Sequence, residues 1–242
     1  MLVIDNVSMS YANSGQKAVD SLSMSLCEGE IFGFLGANGA GKTTTIKMVT
    51  GILPVKSGSI SICGHDITKD PIGAKRCFGF VPDSPIIFDK YTGREYIDFL
   101  GDIYGVDVKT RKAVCDELLH KFSLEDAFDK RISGYSHGMK QKIAIIGSLL
   151  HDPKLWILDE PMVGLDPQSF AELKDIMKAR KESGKTVFFS THILDVAEKI
   201  CDRVAIISHG RLELMGNMEN IRHARDDASL EQIFLSVAGA NE

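Results

Sequence analysis

The chain has 242 residues, of which 44% are apolar and 25% charged, the composition of a folded globular protein rather than a disordered one. A net charge of −5 argues against a general nucleic-acid binder, which needs a basic surface. No apolar run reaches bilayer-spanning length, the N-terminus has no secretory leader pattern, and the five cysteines form no C-x-x-C pair, so reduced, mostly buried thiols are expected rather than a disulfide or metal framework.

The first thirty residues alternate as half-buried strands do: Val7, Met9 and Tyr11 share one side, and Leu22, Met24 and Leu26 alternate with serines. Ile31 to Leu35 is a continuous apolar run, expected of a strand buried on both faces, and glycines and a helix come after it. Between Asp83 and His151 the pattern is helical. Thr92 and Glu95 are spaced as a capping box, and a second helix is expected over Arg111 to Phe122. Met139, Ile143, Ile146 and Leu150 then mark one face of a helix that starts near Ser136 to Gly138, where unpaired N–H groups attract an anion. Buried strands return at Leu155 to Leu158 and Thr186 to Ser190. Between them Asp166 and Pro167 read as N-cap and first residue of a helix ending before Gly184. Val204 to Ile207 and Arg211 to Met215 flank His209-Gly210 as a hairpin. With no internal repeat or linker, the expectation is one α/β domain over residues 1–242, with an antiparallel N-terminal β layer and a helical insert over roughly 84–152.

"GANGAGKT", Gly36 to Thr43, fits G-x-x-x-x-G-K-T directly after the strand 31–35. Gly36, Gly39 and Gly41 let the backbone wrap around phosphate oxygens with its N–H groups inward. Lys42 reaches the β/γ-phosphates, and Thr43 offers a hydroxyl to Mg²⁺. An ordinary Gly-rich turn is the alternative; the full match between a strand and a helix favours a P-loop. "LWILDE" ends a buried strand in Asp159, placed to hold a Mg²⁺ shell, and Glu160, placed to polarise a water. Without a P-loop that acidic pair is equally a solvated loop. His192, past the strand 186–190, is as readily structural as a sensor of phosphate. Tyr11 either stacks on a base or is a plain core or surface aromatic.

Assembled, these residues resemble the ATP-binding subunit of an ABC transporter over nearly the whole chain and in motif order. The resemblance implies a P-loop NTPase core with a parallel sheet. It makes Gly36 to Thr43 the Walker A motif, Leu155 to Asp159 Walker B, Glu160 the catalytic glutamate, Gly164-Leu165-Asp166 the D-loop, His192 the switch histidine and Tyr11 the adenine-stacking aromatic. ATP would then be held by Tyr11, Gly36, Asn38, Gly39, Ala40, Gly41, Lys42, Thr43 and Thr44, with Lys42, Glu160 and His192 catalytic and Thr43 and Asp159 on Mg²⁺. "YSHGM", Tyr135 to Met139, replaces the family's L-S-G-G-Q. Ser136 and Gly138 are kept, and the resemblance implies that they meet the γ-phosphate of ATP on another subunit. Asp83 stands where the family has the Q-loop glutamine; it is either a shorter, charged Mg²⁺ contact or a cap of the next turn. "SLEQIFL", Ser229 to Leu235, and the form of the signature resemble type-2 exporters.

The resemblance implies a Mg-dependent ATPase on the cytoplasmic face of a membrane, powering a separate permease and paired with a second ATP-binding subunit, its copy or a paralogue, with no nucleic-acid partner. The alternative is a soluble ABC-type ATPase acting on a nucleic-acid or assembly partner. The long coiled-coil insertion or second ATPase half expected of such relatives is not evident in the sequence.

Overall fold

The computed structural model describes residues 1–11, 16–85, 88–223 and 229–238. The chain begins β1 (Leu2–Ser10), β2 (Lys17–Leu26), β3 (Ile31–Leu35), α1 (Lys42–Val49), β4 (Ser59–Ile62), β5 (His65–Asp66), α2 (Pro71–Cys77) and β6 (Phe78–Val81). It continues α3 (Gly93–Tyr104), α4 (Val108–Phe122), α5 (His137–Leu149), β7 (Leu155–Leu158), α6 (Pro167–Glu182) and β8 (Thr186–Thr191). It closes with α7 (Leu194–Ile200), β9 (Arg203–Ser208), β10 (Arg211–Asn217), α8 (Met218–His223) and α9 (Leu230–Ala238).

The strands form two sheets. One is antiparallel, in the order β2-β1-β4-β5; the other runs β10-β9-β3-β8-β7-β6 and is parallel except for the edge strand β10. Strict alternation along the central strands divides the core. Ile31, Leu35, Trp156, Leu158, Val187 and Phe189 face a cluster with Ile143 and Ile146 of α5, Leu173 and Met177 of α6 and Leu230 of α9. Phe32, Phe34, Leu155, Ile157 and Phe188 face the β1–β2 layer and Ile46 of α1. Because every residue of β3, β7 and β8 is buried on one side or the other, β3 and β7 read as continuous apolar runs and β8 as the apolar stretch 187–189 between small hydroxyl residues.

Most expected elements are present, with informative shifts. In β1 the buried set moves from Leu2 and Ile4 to Val7 and Met9 across a break in register, where Asn6 takes φ 48°; Ser21 of β2 takes φ 53°. Serine hydroxyls satisfy the displaced amides: Asn6 N–H donates to Ser23 Oγ at 2.9 Å and Ser21 N–H to Ser8 Oγ at 2.8 Å. Tyr11 does not share the buried face of Val7 and Met9 but lies exposed just past β1. The capping box of Thr92 and Glu95 forms as expected. The helix expected from Arg111 starts at Val108, capped by Asp107, whose carboxylate accepts the Thr110 N–H at 3.0 Å. His209 and Gly210, at φ 47° and 79°, turn β9 into β10. The cysteines correct the expectation of mostly buried thiols: Cys115 and Cys201 are buried, Cys63 and Cys77 half-buried and Cys27 exposed. Among the described residues no helix is long and apolar enough to cross a membrane.

Candidate active site

Parallel pairing brings the chemistry to one edge. The C-terminal ends of β3, β6, β7 and β8 lie side by side, so the loops they release, bearing Lys42, Asp83, Asp159-Glu160 and His192, leave the sheet together. A cleft of about 370 Å³ there is lined by Tyr11, Ala37, Asn38, Gly39, Gly41, Lys42, Thr43, Thr44, Asp83 and Glu160.

The loop 36–41 needs its glycines for two separate reasons. A methyl at Gly36 would lie 2.6 Å from the carbonyl oxygen of Ile207, and one at Gly41 2.5 Å from that of Ala18. Gly41 is also the N-cap of α1 at φ 109°, and without a side chain it leaves the first N–H groups of the helix uncapped. Ala40 is buried beneath the loop; its N–H donates to Ala37 O at 3.2 Å and its carbonyl accepts from Gly210 N–H at 2.9 Å. Lys42, 6% exposed, curls over the loop and donates to Gly36 O at 2.7 Å and Ala37 O at 3.2 Å. Its Nζ lies 3.3 Å from Glu160 Oε1, close enough for an ion pair but off a hydrogen-bond line. That oxygen is therefore a buried acceptor with no hydrogen bond. Tyr11 Oη is 3.2 Å from Thr44 Oγ1, which sets the exposed ring at the rim of the cleft.

Asp159, at the end of β7, is 1% exposed. Burial pushes its carboxyl above the ordinary carboxylate value and the charges of Asp83 and Glu160 push further, while hydrogen bonds from the Ser190 and Thr43 hydroxyls pull it back. Glu160 Oε2 is 3.0 Å from Nδ1 of His192. Thus the structure brings together Lys42, Thr43, Asp159, Glu160 and His192. Asp83 lines the same cleft, and its carboxylate accepts the Ser84 N–H at 2.8 Å.

Ser136 and Gly138 do not line this cleft. Ser136 is the exposed N-cap of α5, its Oγ accepting the Met139 N–H at 3.2 Å. Gly138 is packed within its own chain: a methyl there would lie 2.6 Å from the carbonyl oxygen of Gly164, and a methyl at Gly164 (φ 80°) would lie 2.4 Å from Cδ2 of His137. Lys142 pairs with Asp166 at 2.8 Å across the same contact. Two participants carry no signal in the sequence. Lys142 is one charge on a polar stretch, and Ser190 is a small residue inside an apolar strand; neither gives a periodic pattern.

Could these residues hold a divalent cation? Among the described residues no three His, Cys, Asp or Glu side chains are grouped to hold a metal by themselves. One hydroxyl and one carboxylate beside a phosphate-shaped loop suit Mg²⁺, which takes few protein ligands and completes its shell with water and substrate phosphate.

A glycine loop between a buried strand and a helix, with an acidic strand end beside it, defines a P-loop nucleotide-hydrolysing core. The profile described as "ABC transporter" matches residues 19–163. The chain is 37% identical to the linearmycin resistance ATP-binding protein LnrL of Bacillus subtilis, over 100% of this chain and 76% of that protein. It is 34% identical to the ABC transporter ATP-binding protein NatA of the same organism, over 91% and 90%. A solved structure described as the ATP-binding subunit of an ABC transporter superposes with a TM-score of 0.92 at 32% identity, covering 98% of this chain and 99% of that one. The chain belongs to the ABC transporter family. It is an ATP-binding subunit of that family and an ATPase.

Proposed function

We propose that this subunit binds Mg-ATP in a site shared between two ATP-binding subunits and that its hydrolysis drives a separate membrane permease from the cytoplasmic face. The observation that carries the reading is that Lys42, Thr43 and Glu160 line the P-loop cleft, with Asp159 buried at the neighbouring strand end and His192 held against the Glu160 carboxylate. In it, the adenine stacks on Tyr11, the loop from Gly36 to Thr44 takes the phosphates, and Lys42 leaves its loop carbonyls for the β/γ-phosphate charge. Thr43 and Asp159 would hold Mg²⁺, with Asp83 at the edge of its shell; the ion neutralises phosphate charge when bound. Glu160, whose buried Oε1 is ion-paired with Lys42, takes the proton of the attacking water, and His192 holds the opposite carboxylate oxygen.

Ser136 and Gly138 lie outside the cleft of their own chain, which supports a role at the ATP of a second subunit, with the dipole of α5 behind them. Residues 84–152 then act as a helical subdomain within a single ATP-binding domain. Export is the direction supported by the resistance named for LnrL.

Lys42→Ala tests the core of the reading. ATP binding should weaken at least tenfold and hydrolysis should vanish, because the phosphate charge loses its fixed counter-ion. Wild-type turnover in that variant rejects the assignment.

A further inference from the structure

We infer that Ser190 is a positioning residue for hydrolysis, a single hydroxyl that sets both the carboxylate of Asp159 and the backbone of Glu160. The inference rests on the proposed roles of those two residues.

Ser190 lies in β8, fully buried, one residue past the Leu158–Phe189 pairing and beside the turn that leaves β7. Its Oγ donates to Asp159 Oδ1 at 2.5 Å and accepts the Glu160 N–H at 3.0 Å. The direction of both bonds is forced. A backbone N–H can only donate and an ionised carboxylate can only accept, so the one hydroxyl proton of Ser190 goes to Asp159. A hydroxyl donating to a carboxylate makes a short, strong bond, as observed here. It fixes the rotation of the Asp159 carboxyl at the end of β7.

The second bond matters because of the backbone it holds. Glu160 has φ 47°, a left-handed conformation that a non-glycine residue adopts only when its surroundings impose it. Two hydrogen bonds hold it: Ser190 Oγ takes the Glu160 N–H, and the Glu160 carbonyl takes the Val163 N–H at 3.2 Å. This unusual turn aims the Glu160 side chain at Lys42 Nζ and His192 Nδ1 rather than continuing the line of β7. His192 comes directly after β8, so one strand end grips Glu160 twice, at the amide through Ser190 and at the carboxylate through His192. Alanine or valine would fit an apolar strand equally well by hydrophobicity, but neither could make the bridge.

The test measures ATP affinity and turnover separately, at saturating Mg²⁺, in Ser190→Ala, Ser190→Thr, Ser190→Val and a Glu160→Gln control. Ser190→Ala should lower kcat on the order of 10–100-fold, the usual cost of losing a group that orients a functional ligand. Equilibrium binding of ATP should stay within about twofold, because the loop that takes the phosphates is untouched, and Ser190→Thr, which keeps the hydroxyl, should recover most of the turnover. A residue that merely filled space would lose kcat only in step with its folded fraction, and valine would rescue it as well as threonine. Either of those results, or unchanged turnover in Ser190→Ala beside an inactive Glu160→Gln, overturns the positioning role alone. Normal turnover in Glu160→Gln overturns the reading of the site and this inference with it.

Discussion

Lys42 Nζ has the carbonyls of Gly36 and Ala37 and the carboxylate of Glu160 within 3.3 Å. Exchanging Glu160 for glutamine keeps the shape of that cluster and removes its base. Glu160→Gln should therefore bind ATP without cleaving it, and the bound nucleotide should hold two chains together; size exclusion with and without Mg-ATP reads this as a shift from monomer to dimer. Persistence of the monomer in that variant would count against a site shared by two copies of this chain. Asp83 calls for a different comparison, because it lines the cleft while accepting the neighbouring Ser84 amide. If its carboxylate stands in for glutamine beside the metal, Asp83→Gln should maintain or raise basal turnover. If it is a cap, turnover should hold and thermal stability should fall slightly. Loss of turnover at unchanged stability would give Asp83 a role of its own.

Among the elements, charge ties the two sheets where β2 meets β10. Asp20 of β2 accepts Lys17 Nζ at 2.6 Å, and Arg211 of β10 reaches it with Nε at 2.9 Å and Nη2 at 2.7 Å. Hydrogen bonds from Lys17 and then Arg211 hold its carboxyl down at about 2, against an ordinary value of 3.8. A depressed folded-state value means that the charged form stabilises the fold. Its contribution is complete above pH 3.8 and fades as pH falls through about 2. Asp20→Asn should lower the midpoint of urea unfolding at pH 7, and the gap from wild type should close between these two pH values. A gap that stays constant through this window would show that the charge of Asp20, held by Lys17 and Arg211, does not stabilise the fold. Legibility in the sequence depends on the same physics of burial. β3, β7 and β8 stand out because both of their faces are covered, whereas β4 alternates serine and isoleucine over only four residues, and the short β6 with its glycine and α2 with Pro71 and Gly73 carry no periodic pattern. The start of α4 is hidden because Val108 is 75% exposed and its neighbours are polar. The P-loop, the acidic pair and His192 are readable because their spacing is set by strand ends. Ser190 is not, because its partner lies 31 residues away in sequence.

For the whole molecule, the decisive question is whether one chain completes another. If the P-loop comes from one copy and Ser136 from the other, Lys42→Ala and Ser136→Ala should each be inactive alone. A mixed dimer puts both defects in one site and leaves its second site with an intact lysine and an intact serine. Mixing the two variants should therefore restore part of the ATPase activity, once wild type mixed with a doubly substituted chain has established that one sound site turns over. An inactive mixture after that control would mean that Ser136 does not act in trans. The contact behind Ser136 also bears on descent. The imidazole of His137 occupies the space that any side chain at Gly164 would need, and the carbonyl of Gly164 occupies the space that a side chain at Gly138 would need. These three positions are coupled: a lineage that gains a side chain at 164 must also turn or shrink residue 137 and accept a left-handed backbone there. Substitutions between homologues should therefore be correlated, with a bulky 137 found chiefly beside glycine at 164.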